Sequence, residues 1–275
     1  MKYIELSYID IGLAAALIIV NGIISIALGL RLERSLLLAS VRTILQLLLI
    51  GLVLESVFAV SEWYMVLGLL LVMTIIAGVA AVDRMDRRYR GVYVDSIVAV
   101  WSSSWIVAAY ALLAIMRDVR PWYHPQYAIP LAGMILGNSL NGISLGLNSL
   151  SEQLATHRDQ VEAMLTLGAT RWEAARSSVR QAIHTGMIPI INSMMVVGIV
   201  NLPGMMTGQL LSGVSPLQAV RYQIVIMFLI ASATALGTAS VVLLSYRRLF
   251  NEHHQFRGGL LVSMSEYQTR ATRSR

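Results

Sequence analysis

The sequence contains no cysteine and only one lysine, Lys2, and both shortages exclude classes of site. Without cysteine, the chain can form no disulfide and can hold no metal ion on thiolates. A Walker-type nucleotide site needs a lysine at the end of a GxxxxGK[ST] loop, and no such loop occurs. The HExxH motif is missing, and the one GxSxG string, at residues 142–146, lies inside a long apolar run and not at a strand-to-helix elbow, so no spacing of residues supports an enzyme.

Charge is also scarce. Only 13% of the 275 residues are charged and 56% are hydrophobic, whereas a soluble domain has about 25% charged residues. Several apolar runs approach or exceed the roughly 20 residues that cross a bilayer as a helix. We therefore predict an all-α, polytopic membrane protein. Its first apolar run lacks a basic leader, so we expect a retained span and no cleaved signal peptide.

The apolar runs predict seven transmembrane helices. They cover residues 8–28, 36–58, 63–82, 96–116, 127–150, 183–202 and 222–246. Together these helices predict one transmembrane domain over residues 1–250, followed by a polar, basic and loosely ordered tail over residues 251–275.

The basic residues between the spans predict the orientation in the membrane. One side would carry Arg31, Arg34, Arg84, Arg87, Arg88, Arg90, Arg158, Arg171, Arg176, Arg180, Arg247 and Arg248, and the other Lys2, Arg117, Arg120 and Arg221. The positive-inside rule then places the N-terminus outside and the C-terminus in the cytoplasm of a cell whose inner or plasma membrane holds the chain. Because the arginines form no single stripe, we expect no nucleic-acid partner.

Residues 152–181 form a predicted helix-turn-helix between two spans. Its apolar residues Leu154, Val161, Met164 and Leu165 recur at helical spacing. Gly168 suits the left-handed position just past a helix end, and Thr170 followed by Glu173 is typical of a capping box. A capped, charged hairpin on the cytoplasmic side of a membrane protein indicates a docking point for a soluble partner.

Polar residues interrupt two of the predicted spans. Asn138 and Asn141 share one face of the fifth span, among several glycines and serines. They indicate either close helix packing or the wall of a hydrated pathway, because amides in a bilayer need partners or water. In the second span, Arg42 could snorkel to the surface, whereas Gln46 is too short to do so. Gln46 is expected to face protein or a cavity.

Residues 203–216 contain the polar residues Thr207 and Gln209. We predict that this segment forms either a re-entrant gate or an outer loop. The adjacent Met205 and Met206 indicate either soft-metal ligands or adaptable apolar packing, and the metal question stays open. Asp83 and Asp86 could form a metal-binding DxxD pair. Four neighbouring arginines favour a solvated cytoplasmic turn instead.

The hairpin resembles the cytoplasmic coupling loop of ABC transporter permeases, in which Glu-Ala-Ala followed by Gly docks on the ATPase. Glu162, Ala163 and Gly168 match that pattern, whereas Met164 replaces the second alanine. Over residues 8–250 the chain resembles the FetB-type permease family, which is linked to bacterial iron export and plant aluminium tolerance. The matching stretches are residues 42–51, 133–139, 165–170 and 197–209.

The resemblance implies a homodimeric permease that works with two separate ATP-binding subunits and moves its substrate outward. ATP and Mg²⁺ would bind the partner subunit, and this chain would need no cofactor. The residues that would contact the ATPase are Glu162, Ala163, Leu167, Gly168, Ala169 and Thr170. Around the translocation pathway we place Arg42, Gln46, Asn138, Asn141, Met205, Met206, Thr207 and Gln209.

Two alternatives remain beside iron export. Ferrous iron favours imidazole and carboxylate ligands, and no carboxylate lies deep in a predicted span. The resemblance to plant proteins suggests a nucleotide sugar or another organic metabolite as the substrate. A secondary carrier without an ATPase is the other alternative, but it would leave the cytoplasmic hairpin without a docking partner.

Overall fold

A computed structural model describes residues 7–117 and 119–263, and the chain divides into two compact units between Glu62 and Trp63. The first unit is a helical hairpin of α1 (Tyr8–Ala27) and α2 (Glu33–Val60). Ser7 begins α1 with a capping box. In the connection, Ser25 Oγ donates a hydrogen bond of 3.1 Å to Glu33 and accepts one from the Leu32 amide.

The second unit is also mainly helical. Its helices are α3 (Trp63–Asp83), α4 (Val92–Tyr110) with a π-helical extension (Ala111–Ile115), α5 (Pro125–Thr156), α6 (Arg158–Thr166), α7 (Arg171–Val196), α8 (Gly204–Leu211) and α9 (Pro216–Leu249), followed by a 3₁₀ turn (Gly258–Leu260). The prediction of a helical protein is confirmed. One two-residue strand pair was not expected: β1 (Arg87–Arg88) lies antiparallel to β2 (Val262–Ser263).

Six helices in the described ranges are long and apolar enough to cross a membrane: α1, α2, α3, α4 with its extension, α5 and α9. The chain is thus a multi-pass membrane protein. The predicted span at 183–202 is not among the six, so a count of seven is not confirmed. Those residues belong mostly to α7, which runs through Pro189 and ends at Val196. His184 and Asn192 lower the apolar character of this helix.

Helix α5 packs against α7 and α9 through residues without large side chains. A Cβ atom added to Gly142 would lie 2.9 Å from the carbonyl oxygen of Gly186 and 2.5 Å from Thr234 Cγ2. A Cβ on Gly186 would lie 2.6 Å from the carbonyl oxygen of Gly142. Contacts this short leave no room for a side chain, so glycine permits the close approach of the two helices. Close packing therefore explains these glycines.

In the turn between α3 and α4, Asp83 and Asp86 are exposed as predicted, whereas Arg88 and Tyr89 are buried. Tyr89 is fully buried. Its hydroxyl donates a hydrogen bond of 2.9 Å to the Asp95 carboxylate and lies 2.7 Å from the Ser245 hydroxyl. Arg248 of α9 donates two hydrogen bonds of 2.7 and 2.6 Å to the same carboxylate. Burial raises the pKa of Tyr89, so its hydroxyl stays protonated and can donate. This network ties α4 to α9.

The beginning of the predicted polar tail also packs on the helices. Phe256 stacks on Phe250 with ring centroids 5.1 Å apart, and the two residues form a β-bridge. Leu260 and Leu261 pack against the same core, and Val262 is buried. Residues 251–263 therefore continue the packed structure past α9, because their apolar side chains bury against it. Residues 264–275 of the predicted tail lie outside the described residues.

Candidate functional site

The turn between α6 and α7 is built as the sequence predicted. Gly168 has a φ of +92°, in the left-handed region. Its amide donates to the Leu165 carbonyl, and the Ala169 amide donates to the Met164 carbonyl, both at 3.0–3.1 Å. This pair of bonds is a Schellman motif, which satisfies the carbonyl groups at a helix end. Glycine fits here because a side chain at a positive φ is strained.

The start of α7 closes the other side of the turn. Thr170 Oγ1 accepts from the Glu173 amide at 3.3 Å, and the Glu173 carboxylate accepts from the Thr170 amide at 2.7 Å. The carboxylate also accepts a hydrogen bond of 2.7 Å from the Thr170 hydroxyl, and this bond and the one from the Thr170 amide lower the pKa of Glu173. The predicted capping box is confirmed, and it fixes the direction in which the chain leaves the turn.

The tip of the turn is solvent-exposed and partly apolar. Leu167 is 88% exposed, and nothing lies within 4 Å of a Cβ added to Gly168. On α6, Glu162 accepts a hydrogen bond of 2.7 Å from Arg158, and the Ala163 carbonyl accepts from the Leu167 amide. The arrangement presents an exposed leucine on a rigid, doubly capped turn. Whether an ATPase binds there stays a prediction.

One face of α5 carries a row of polar side chains that meet the turn after α3. Arg84 Nη1 donates to Asn141 Oδ1 at 2.7 Å. About two turns further along α5, the backbone amide of Asp86 donates to Asn148 Oδ1 at 3.0 Å. Asn148 Nδ2 in turn donates to the Asp86 carboxylate at 3.2 Å. Arg87 then donates to Glu152 at 3.2 Å. Residues 138, 141, 148 and 152 of α5, together with residues 84, 86 and 87 of the turn after α3, are called the polar face of α5 below.

Asn138 and Asn141 are both exposed on this polar face. Asn138 donates only to the Met134 carbonyl of its own helix, at 2.8 Å. The close contacts made by Gly142 lie toward α7 and α9 instead. Close packing of glycines and exposure of asparagines therefore both occur on α5, on different sides of the helix.

A second candidate region lies at the other end of α7. The Gly198 amide donates to the Asn201 carbonyl at 2.9 Å, which closes a tight turn before α8. Behind it is a mainly apolar cavity of about 390 Å³, lined by Met194, Met206, Gln223 and Met227 among others. The Gln223 side-chain oxygen is buried and has no hydrogen-bond partner in the described structure.

The remaining predicted pathway residues have different surroundings. Thr207 donates to the Pro203 carbonyl at 3.1 Å within α8, and Met205 is half-buried. Gln209 has a buried side-chain oxygen that lacks a partner among the described residues. In the first unit, Arg42 and Gln46 are both exposed on α2. Of the predicted pathway residues, Met206 lines the cavity, and Asn138 and Asn141 lie together on the polar face of α5.

Sequence reasoning missed several members of these regions. Arg84 and Asp86 are exposed, as a solvated turn requires, but their bonds to amides of α5 were not predicted. Gln223 had no distinguishing signal, since one glutamine near the end of an apolar helix is common. Within residues 7–117 and 119–263, no group of three histidine or acidic residues is placed to hold a metal ion. Asp83 instead pairs with Arg88 at 3.4 Å.

Comparison with family models matches residues 8–250 to an uncharacterised protein family, UPF0014. A UPF0014 membrane protein of Synechocystis, slr1647, is 42% identical and covers 92% of this chain and 97% of its own length. No solved structure matches the chain.

Two further relatives have descriptive names. "Probable iron export permease protein FetB" of Escherichia coli is 32% identical over 90% of this chain and 93% of its own length. "Protein ALUMINUM SENSITIVE 3" of Arabidopsis thaliana is 31% identical, over 88% of each chain. The resemblance drawn from the motifs is therefore confirmed, and this chain belongs to the UPF0014 family of membrane proteins.

Proposed function

We propose that this chain is the membrane-spanning permease subunit of an ABC transporter and exports a metal ion, with iron as the first candidate. The polar face of α5 carries the proposal, because it places exposed asparagines on a helix long enough to cross a bilayer. The relative from Escherichia coli, named a probable iron export permease, supports the choice of substrate.

The exposed asparagines argue for a hydrated pathway. An amide in contact with lipid and without a partner costs several kcal/mol. The side-chain nitrogen of Asn138 donates to the Met134 carbonyl, and the side-chain oxygen of Asn141 accepts from Arg84. The structure gives no partner for the other half of either amide within the described residues. The face that they share must therefore border water or another protein surface. A homodimer with a central pathway would provide both, and Arg42 and Gln46 of α2 are further candidates for its wall.

The exposed turn at Leu167 and Gly168 argues for a separate ATP-binding subunit. A leucine that is 88% exposed on a rigid, capped turn is suited to bury in a groove of a partner. Glu162, Ala163, Ala169 and Thr170 would flank that contact. ATP and Mg²⁺ would bind the partner, since this chain lacks a Walker lysine. This chain would then have no catalytic activity of its own.

The orientation follows from the arginines. With the turn in the cytoplasm, the N-terminus lies outside and the C-terminus inside a cell inner or plasma membrane. The second half of α7 would then cross as a seventh span, so that α8 lies near the outer surface. This arrangement places the cavity beside Met206 and Gln223 at the outer end of the pathway.

An organic metabolite, such as a nucleotide sugar, is the second candidate substrate. One observation favours it: apart from the charged residues 84, 86, 87 and 152, the polar face carries only amides, and the polar groups lining the cavity are one amide and methionine thioethers. Ferrous iron prefers imidazole and carboxylate. Thioethers can hold softer ions, so a metal or a chelate also remains compatible with Met205 and Met206.

The test is reconstitution with a candidate ATP-binding-cassette subunit from the same organism, chosen by gene neighbourhood. The purified pair in proteoliposomes should hydrolyse ATP faster with its substrate than without it, across a panel of Fe²⁺, other divalent metals and nucleotide sugars. Stimulation by a metal supports the first candidate, and stimulation by a nucleotide sugar alone supports the second. Failure of the two chains to co-purify would refute the ABC assignment.

A further inference from the structure

An open pocket of about 480 Å³ lies where α9 ends and α7 begins, and arginine dominates its lining. Arg171, Arg247 and Arg257 surround it together with residues 250–253. Arg171 Nη1 donates to the Asn251 carbonyl at 3.2 Å, and its backbone amide donates to His254 Nδ1 at 3.0 Å. The pocket is thus a fixed part of the fold, held by bonds between α7 and the chain after α9.

Within the described residues, no ion pair neutralises the arginines of this pocket. The ion pairs in the described ranges all use other arginines, namely Arg87, Arg88, Arg158 and Arg248. Among the described lining residues, Glu252 is the one carboxylate, against three guanidinium groups. Three like charges around one pocket repel each other, and a bound anion would relieve that repulsion.

Aromatic rings lie directly beside the arginines. Trp172 meets Tyr246 edge to face at 5.5 Å, and Tyr246 contacts Phe250 at 5.4 Å between ring centroids. Trp172 is 43% exposed. Tryptophan and tyrosine at the end of a membrane-crossing helix mark the level of lipid headgroups. Arg247 lies in the last turn of α9, so the arginine pocket opens at that level.

We propose that the arginine pocket binds the phosphate of an anionic phospholipid headgroup. Guanidinium groups bind phosphate oxygens in pairs, and basic pockets at the membrane surface recognise anionic lipids in this way. The neighbouring aromatic rings favour a lipid over a free phosphate, because they can contact the glycerol and first methylenes. A lipid bound here would contact the start of α7, where Arg171 lies three residues after Gly168.

The test uses two paired variants in nanodiscs. Neither Arg247 nor Arg257 uses its guanidinium in a hydrogen bond within the described residues, so Arg247→Gln with Arg257→Gln should leave the fold intact. Arg117→Gln with Arg221→Gln removes the same charge at the other end of the spans and is the matched control. Nanodiscs of phosphatidylcholine, with and without phosphatidylglycerol, would be compared for bound lipid by native mass spectrometry and for melting temperature.

The wild type and the control should retain phosphatidylglycerol and melt at a higher temperature with it. The paired pocket variant should bind it about fivefold more weakly per arginine removed. If that variant does not purify, Arg257→Gln alone should show the single fivefold loss. Equal lipid binding by variant and wild type would overturn the proposal. An equal rise in melting temperature with inorganic phosphate in detergent would also overturn it, in favour of a free anion.

The third outcome concerns the ATP-binding subunit. If the pocket variant keeps its phosphatidylglycerol but loses binding to that subunit, the arginines recognise acidic side chains of a protein and the lipid proposal is wrong. Loss of lipid with subunit binding retained supports the proposal. This readout does not depend on transport, so it stays informative whether or not the proposed substrate is correct.

Discussion

Arg84 and Asn141 are 57 positions apart in the sequence and are joined by a hydrogen bond of 2.7 Å from the guanidinium to the amide oxygen. The bond links the turn after α3 to the middle of α5, a helix long enough to cross a membrane. It places a cation and an amide together on an exposed face. A face of this kind is unfavourable against lipid, and this is the basis for placing a pathway beside it.

The glycines of α5 provide the first prediction. Gly142→Ala should destabilise the protein by about 1–3 kcal/mol, because the new methyl group would overlap Thr234 and the carbonyl oxygen of Gly186. Gly137→Ala is the control, since nothing lies within 4 Å of its added Cβ. Melting temperature in detergent should fall for the first variant only. Equal melting temperatures for Gly142→Ala and Gly137→Ala would contradict close packing at Gly142.

The turn at Gly168 provides the second prediction. Gly168→Leu should abolish substrate-stimulated ATP hydrolysis while the permease remains inserted, because the side chain strains a backbone at φ +92° and blocks docking. Gly29→Leu is a matched control, because Gly29 has a φ of +65° and equally open surroundings but lies between α1 and α2. Normal stimulation in Gly168→Leu would remove the coupling assignment.

The capping box provides a prediction that depends on pH. The pKa of Glu173 is lowered in the folded chain, from an ordinary value of 4.5, by its hydrogen bonds with Thr170. A lowered pKa means that the ionised carboxylate stabilises the fold above pH 4.5, and that this stability is lost as the pH falls through the folded value. Glu173→Gln should therefore lower the melting temperature at pH 7 and have a shrinking effect below pH 4.5. A difference that is constant with pH would contradict this role.

The arginine asymmetry predicts the topology. Cysteines introduced at Ser7 and Ser274 can be probed with a membrane-impermeant thiol reagent, since the chain has no cysteine of its own. In intact cells Ser7→Cys should react and Ser274→Cys should react only after lysis. Position 274 lies outside the described residues, so this test relies on the sequence alone. The opposite labelling pattern would reverse the orientation.

Local features were predictable from the sequence, and contacts over long distances were not. The cap at Thr170 and the left-handed Gly168 depend on a few neighbouring residues, so their residue types were sufficient. The ends of α3 lie within one residue of the prediction for the same reason, since a long apolar run stops at Asp83.

The misjudged elements depend on distant partners. The turn after α3 exposes Asp83 and Asp86 as predicted, but the burial of Tyr89 against Asp95 of α4 and Ser245 of α9 was not predicted. The predicted polar tail contains Phe256, which stacks on Phe250 only after the chain has turned back. Hydropathy divided residues 171–202 into a hairpin arm and a span, whereas α7 is one continuous helix that includes Pro189, although proline donates no backbone hydrogen bond there. Each case was decided by tertiary packing.

The central claim is that the polar face and the segment around Met205 line a translocation pathway. The most direct test compares transport rate with melting temperature for Gln46→Leu, Asn138→Leu, Asn141→Leu and Met205→Leu, with Gly142→Ala as the reference for a purely structural defect. We expect the four variants to lose transport while they melt close to the wild type, and Gly142→Ala to lose both together. If transport falls only in step with melting temperature in all four, these residues are packing contacts and the pathway is wrong.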